Sequence, residues 1–175
     1  MHNNMSSRRF YTVPFVWSKT VWVITFATFA LWIGFSIFQL YQIFTTESVG
    51  ASVVSLIVFN VVMLATILLC EGYAPQRLEI GESKLVILRR YKSVTIHRHE
   101  ILRIECLPDT ALRSAVRTFG VGGLFGYFGQ FYSSKIGSFS LYATRLDNLF
   151  LIEKYNGKKI VVSCAEPERM SLLSE

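Results

Sequence analysis

The run Thr20–Thr46, TVWVITFATFALWIGFSIFQLYQIFTT, is separated by Glu47 alone from a second run, Ser48–Cys70, SVGASVVSLIVFNVVMLATILLC. Neither contains proline or an ionisable side chain. A helix rising about 1.5 Å per residue needs about 20 apolar residues to cross about 30 Å of hydrocarbon, and each run reaches that length. The pair predicts a two-helix transmembrane hairpin over residues 20–71, after a basic N-terminal segment, 1–19. A cleaved leader fits poorly, because its apolar core is about 7 to 15 residues and a small-x-small site closes it.

Outward from the hairpin, charge sets orientation. Arg8, Arg9 and Lys19 precede the first span with no acid among them, and Arg77, Lys84, Arg89 and Arg90 follow the second, while the connection carries no base. Basic residues near membrane ends resist translocation, so both termini are expected in the cytoplasm and the turn at 46–50 outside. The expected location is the inner (plasma) membrane, crossed twice. Trp17 and Trp22 at one end of the first span, and Tyr41 and Phe44 at the other, suit the headgroup layers.

Within the hairpin, Ala30 and Gly34 on the first span and Ala51 and Ser55 on the second form narrow lines of small residues, which let helix backbones approach each other or another copy. Asn60 is the one amide deep in the second span, where an unpaired polar group is costly. Thr25, Thr28 or the same residue of a second copy are its expected partners. A lone neutral amide in two helices argues for structural pairing over a transport path.

From residue 72 the hydrophobic period changes. Arg77–Gly81, Lys84–Arg90, Ser93–His97, Leu102–Leu107, Ser138–Arg145, Leu149–Tyr155 and Lys158–Cys164 read as seven short strands. Leu102, Ile104 and Cys106 alternate with Arg103 and Glu105, predicting one dry face. Asn156–Gly157 signals a type I′ hairpin, which needs positive φ at both central residues. Glu166-Pro167-Glu168 opens a short C-terminal helix with Met170, Leu172 and Leu173 as its buried side.

Between the fourth and fifth strands runs a connection, 108–137, far longer than the usual 4 to 6 residues or so. Asp109 to Arg117 reads as a short helix with Arg113 and Arg117 on one face. Thr118–Ser134 then carries no charge and interleaves Gly120, Gly122, Gly123, Gly126 and Gly129 with aromatics. It reads as a loop. Either its rings fold back over the strands, with glycine permitting tight turns, or Phe125, Tyr127, Phe128 and Phe131 form an exposed apolar contact.

The segment Gly120–Tyr132, with Gly137-Ser138-Phe139, Tyr142-Ala143-Thr144, Gly157–Ser163 and Glu166-Pro167-Glu168, resembles the bacterial pleckstrin-homology (PH) domain family, over roughly Tyr73 to Leu173. The resemblance implies a mainly-β (α+β) roll of seven antiparallel strands with a C-terminal helix plugging one end, here over 72–175. Members often follow membrane helices. In phosphoinositide-binding PH domains the basic residues surround the first strand turn; Lys84, Arg89, Arg90 and Lys92 are nearest, without a headgroup-specific spacing.

No catalytic constellation emerges. The glycines lack the context of a phosphate or dinucleotide loop, and no Ser-His-Asp order or carboxylate pair stands out. Cys70, Cys106 and Cys164 are too dispersed for zinc, and His97 and His99 lack further ligands. Cys106 and Cys164 read as reduced core residues. No metal or cofactor is expected. Residues 71–175 hold fifteen Lys and Arg against eleven Asp and Glu, a modest excess remote from the aromatics, which argues against nucleic acid.

The expected function is a membrane-anchored, noncatalytic interaction or scaffold module. It would self-associate, and Arg113 and Arg117 would meet lipid headgroups or a partner's acids beside Phe125, Tyr127, Phe128 and Phe131. The alternative is an accessory subunit of a transporter or envelope complex, with the hairpin as interface.

Overall fold

The computed structural model describes residues 10–45 and 49–173. Arg8, Arg9 and the turn at Thr46–Ser48 lie outside them, as do the side chains of Leu172 and Leu173. Among the described residues ten strands are present, not seven, and they form two sheets.

The first sheet contains β1 (Phe10–Pro14), β2 (Arg77–Gly81), β3 (Lys84–Leu88) and β4 (Val94–His97), in that order and antiparallel throughout. Its β1 comes from the N-terminal segment, where no strand was expected. Phe10 faces Gly81 and Pro14 faces Arg77, so the helices α1 (Lys19–Thr45) and α2 (Val49–Tyr73) form the loop of one long β-hairpin. Proline fits the end of an edge strand, where no ladder donor is needed.

The hairpin is long and apolar enough to cross a membrane twice. It is not a buried core: Leu31, Val23, Phe26 and Val61 are all exposed. That surface suits lipid, since contiguous apolar area of this extent is costly in water. Its inner seam is polar in the middle. Trp32 donates its indole N–H to Asn60 Oδ1 at 3.0 Å, and Asn60 Nδ2 donates to the Leu56 carbonyl at 2.9 Å. Ser36 Oγ lies 3.1 Å from the same oxygen. Trp32 and Ser36, rather than Thr25 or Thr28, are therefore the partners of Asn60.

The second sheet has the order β5-β9-β10-β8-β7-β6, with β5 (Ile101–Leu107), β6 (Val116–Gly122), β7 (Tyr127–Ser133), β8 (Gly137–Ala143), β9 (Leu149–Lys154) and β10 (Lys159–Ser163). All pairs are antiparallel except β8 with β10. The central β9 and β10 are buried on both faces, which explains their continuous apolar runs Leu149–Ile152 and Ile160–Val162. One face packs Phe150, Ile152, Ile160 and Val162 against Leu78, Ile80, Leu85 and Ile87 of the first sheet. The other packs Leu151 and Val161 with Leu141, Phe139 and the turn residues Ala111 and Leu112.

Four further expectations are corrected. The C-terminal helix is a single 3-10 segment, Pro167–Leu173, although Met170 is buried as expected. The Asn156–Gly157 connection has positive φ at Gly157 alone. It is closed by Gly157 N–H donating to the Lys154 carbonyl, so it is a three-residue turn ending in a left-handed glycine, not a type I′ turn. β5 is an edge strand with Leu102 and Cys106 exposed, so its alternation does not mark a dry face and only Cys164 is a core cysteine. Finally, 109–115 is a run of turns: Ala111 N–H donates to Pro108, Arg113 to Thr110 and Ala115 to Leu112, each three residues back, and no helix forms.

Candidate functional site where the roll meets the hairpin

The glycine-aromatic segment is a β-hairpin, β6 and β7, with its tip over Gly123–Gly126. Gly120 and Gly129 face each other across it, both at φ +125°. A β-carbon on Gly120 would lie 2.2 Å from the Phe128 carbonyl oxygen, and one on Gly129 would lie 2.3 Å from that of Phe119. Only glycine permits this approach.

The tip is a wedge between the two helices. Phe125, at φ +58° and 8 % exposed, sits 5.8 Å from the Trp17 ring and 6.4 Å from that of Phe29. Its backbone N–H donates to Thr25 Oγ1 at 3.2 Å. Left-handed backbone at a bulky residue costs about 1–2 kcal/mol, which burial of the ring among Ile67, Trp17 and Phe29 offsets. Gly123 lies so close to Ile24 that a β-carbon there would meet Ile24 Cδ1 at 2.4 Å.

Further bonds secure the junction. Ser18 N–H donates to the Thr144 carbonyl, and Thr144 Oγ1 donates to the Val16 carbonyl at 2.8 Å. Tyr91 N–H donates to the Gly72 carbonyl, and Arg90 pairs with Glu71 at 2.9 Å. Roll and hairpin are thus joined at both helix ends that face the roll.

Two grooves flank β6–β8. The first, of about 460 Å³, is lined by Leu112, Arg117, Gly122, Tyr127, Phe131 and Leu146 among others. Burial pushes the Tyr127 phenol above its ordinary value. The second, of about 510 Å³, lies between the end of α2 (Leu69, Cys70, Tyr73) and the strands (Phe119, Gly120, Val121, Phe128, Gly129, Tyr142), with Arg89 at its rim. The Arg89 guanidinium is 5.6 Å from the Tyr73 ring centroid and 5.3 Å from that of Tyr142.

The expected site residues are therefore divided. Arg117, Tyr127 and Phe131 share the first groove, while Arg113 is exposed on the preceding turn. The two arginines do not share a helical face. Phe125 and Phe128 are buried against the hairpin and Phe131 in the roll, so they offer no exposed apolar contact; Phe119, 77 % exposed, and Tyr132 do. In the hairpin, Ser55 Oγ accepts from Gln39 Nε2 at 3.0 Å, whereas Ala30, Gly34 and Ala51 face outward, with open space at Gly34.

The Phe125 wedge and the Arg89 rim escaped sequence reasoning, because the first looked like a loop and the second like part of a charge cluster. The uncharged gap itself was the available signal for a contact with the apolar hairpin. His97 and His99 stack at 5.4 Å, and among the described residues no three His, Cys, Asp or Glu side chains gather as a metal site. At the far edge of the roll, Glu100 is held below the usual carboxylate range by its bond from Lys154, 2.7 Å away.

A family model of the bacterial PH domain matches residues 76–173, from the start of β2 to the last turn. No curated protein and no solved structure matches the chain. PH domains are generally noncatalytic, and the two-sheet roll described above fits that match. The chain belongs to the bacterial PH domain family, with a two-helix hairpin set into its first sheet.

Proposed function

We propose that the protein is a membrane-anchored, noncatalytic interaction module whose roll works against the cytoplasmic leaflet. The observation that carries this reading is the wedge: Phe125 and its bond to Thr25 key the roll into the base of an apolar hairpin. A roll on a free tether would need no such contact. The basic residues around the helix ends support a cytoplasmic side for both termini. Arg113 and Arg117 then offer exposed cations, beside the Tyr127 groove, to anionic headgroups or a partner's acids, and two copies associate through the hairpins.

Cys106 provides the test, because it is the exposed cysteine of the roll while Cys164 is buried. A membrane-impermeant maleimide should label it in inverted vesicles and not in intact cells. Labelling in intact cells, or release of the protein by alkaline carbonate, would refute the placement. Salt-sensitive binding of reconstituted protein to anionic vesicles should weaken in Arg113→Ala/Arg117→Ala; an unchanged salt slope would remove those residues from the contact.

A second reading, an accessory subunit with the hairpin as interface, is favoured by the outward-facing Ala30, Gly34 and Ala51. Loss of a co-purifying membrane protein in Gly34→Leu, with the roll intact, would select it.

A further inference from the structure

We propose that the groove between the end of α2 and the β6–β8 face holds one phospholipid of the adjoining leaflet, with an acyl chain along Leu69 and Phe128 and its phosphodiester on Arg89. The inference rests on the membrane placement given above.

The volume of about 510 Å³ lies within the range of small-molecule sites. Its lining is apolar apart from Arg89 and the phenol groups, and the paired Gly120 and Gly129 put no side chain into it. One wall is the last turns of α2, where Leu69 is more than half exposed. A lipid chain already lying beside α2 therefore reaches the groove laterally, without leaving hydrocarbon. A soluble ligand or a partner helix would have to displace lipid first.

The rim fixes the other end. Arg89 uses Nε to donate to the Lys92 carbonyl at 2.5 Å and lies against two tyrosine rings. Among the described residues no carboxylate pairs with it, whereas its neighbour Arg90 is paired with Glu71. A guanidinium held by aromatic faces keeps its remaining N–H groups in a planar fork, which matches two phosphate oxygens. Tyr73, the last residue of α2, places that fork at the helix exit, the depth of the headgroup layer.

The full-length protein, reconstituted in nanodiscs of phosphatidylglycerol and phosphatidylcholine, then extracted and washed in mild detergent, should retain one phospholipid by native mass spectrometry. Arg89→Ala should lower the retained fraction about tenfold, the loss of one charge-assisted contact. Lys158→Ala, at an exposed cation of the turn between β9 and β10, should leave it unchanged. A phospholipid with a photoreactive acyl chain should cross-link the wild-type protein chiefly at 69–73 and 119–129. No retained lipid, equal retention in Arg89→Ala, or cross-links spread evenly along both helices would overturn the proposal. If this occurs while Cys106 labelling and carbonate resistance persist, the groove inference fails alone; release of the wild type by carbonate would overturn both.

Discussion

Replacing Phe125 separates the wedge from the rest of the fold. Its side chain touches Trp17 and Phe29 of the hairpin and belongs to neither core of the roll. Truncating a buried phenylalanine to alanine costs about 3–5 kcal/mol. Because that loss falls on docking, Phe125→Ala should speed amide exchange at the junction, at Ser18 and Phe125, between about a hundredfold and a few thousandfold. Amides of β9 and β10 should keep their protection. The left-handed backbone adds a second expectation. Glycine relieves about 1–2 kcal/mol at φ +58°, so Phe125→Gly should be less damaging than Phe125→Ala, opposite to the usual order in regular structure. Hydrogen–deuterium exchange of full-length protein in nanodiscs gives both answers. If β9 and β10 lose protection together with Ser18, the wedge is part of the roll's core. If Phe125→Gly exchanges faster than Phe125→Ala, the backbone argument is wrong.

Other perturbations reach different links. Gly129→Ala sets a β-carbon against the Phe119 carbonyl at positive φ, and should cost about 1–3 kcal/mol of β6–β7 stability, read as local exchange at this edge. Asn60→Leu strands the Trp32 indole N–H and should cost about 0.6–1.7 kcal/mol in denaturant-titrated detergent micelles; no loss would mean that the seam does not depend on the amide. Met170→Ala opens a cavity beneath the last turn and should lower roll stability by about 2–5 kcal/mol in thermal melts, leaving Ser18 exchange no worse than the melt predicts. Asp147 is held below its ordinary value by Arg145, so the stability it contributes is present above about pH 4 and fades as pH falls through the lower folded value. Asp147→Asn should flatten that acid limb of a stability–pH profile.

The seven strands from β2 to β5 and β8 to β10 were legible because each is a short apolar run bounded by turn residues, and the hairpin because its runs carry no charge. β1 was missed since FYTVP is short and its partner lies beyond the whole hairpin, a pairing that no local pattern encodes. β6 and β7 were missed for a different reason. Glycine lowers strand propensity, yet here Gly120 and Gly129 serve a close cross-strand approach that only the paired strand reveals. Arg113 and Arg117 suited a helix by spacing, but Pro108 starts a chain of four-residue turns, and Ala111 and Leu112 are drawn onto the sheet instead. Arg89 had no distinguishing sequence signal: its position between Tyr73 and Tyr142 joins parts of the chain 16 and 53 residues away.

On the proposed membrane placement, the ladder between β1 and β2 ties insertion of the hairpin to closure of the first sheet. If only one helix crosses the bilayer, Phe10–Pro14 and Arg77–Gly81 end on opposite sides, and the first sheet loses its outermost strand together with buried Val13. A chain that has gone in and come back closes the sheet; a half-inserted one leaves the β2 edge bare. An open β2 edge then presents unpaired N–H and C=O groups to which another chain can add a strand. A fragment cut after α2 carries the same defect.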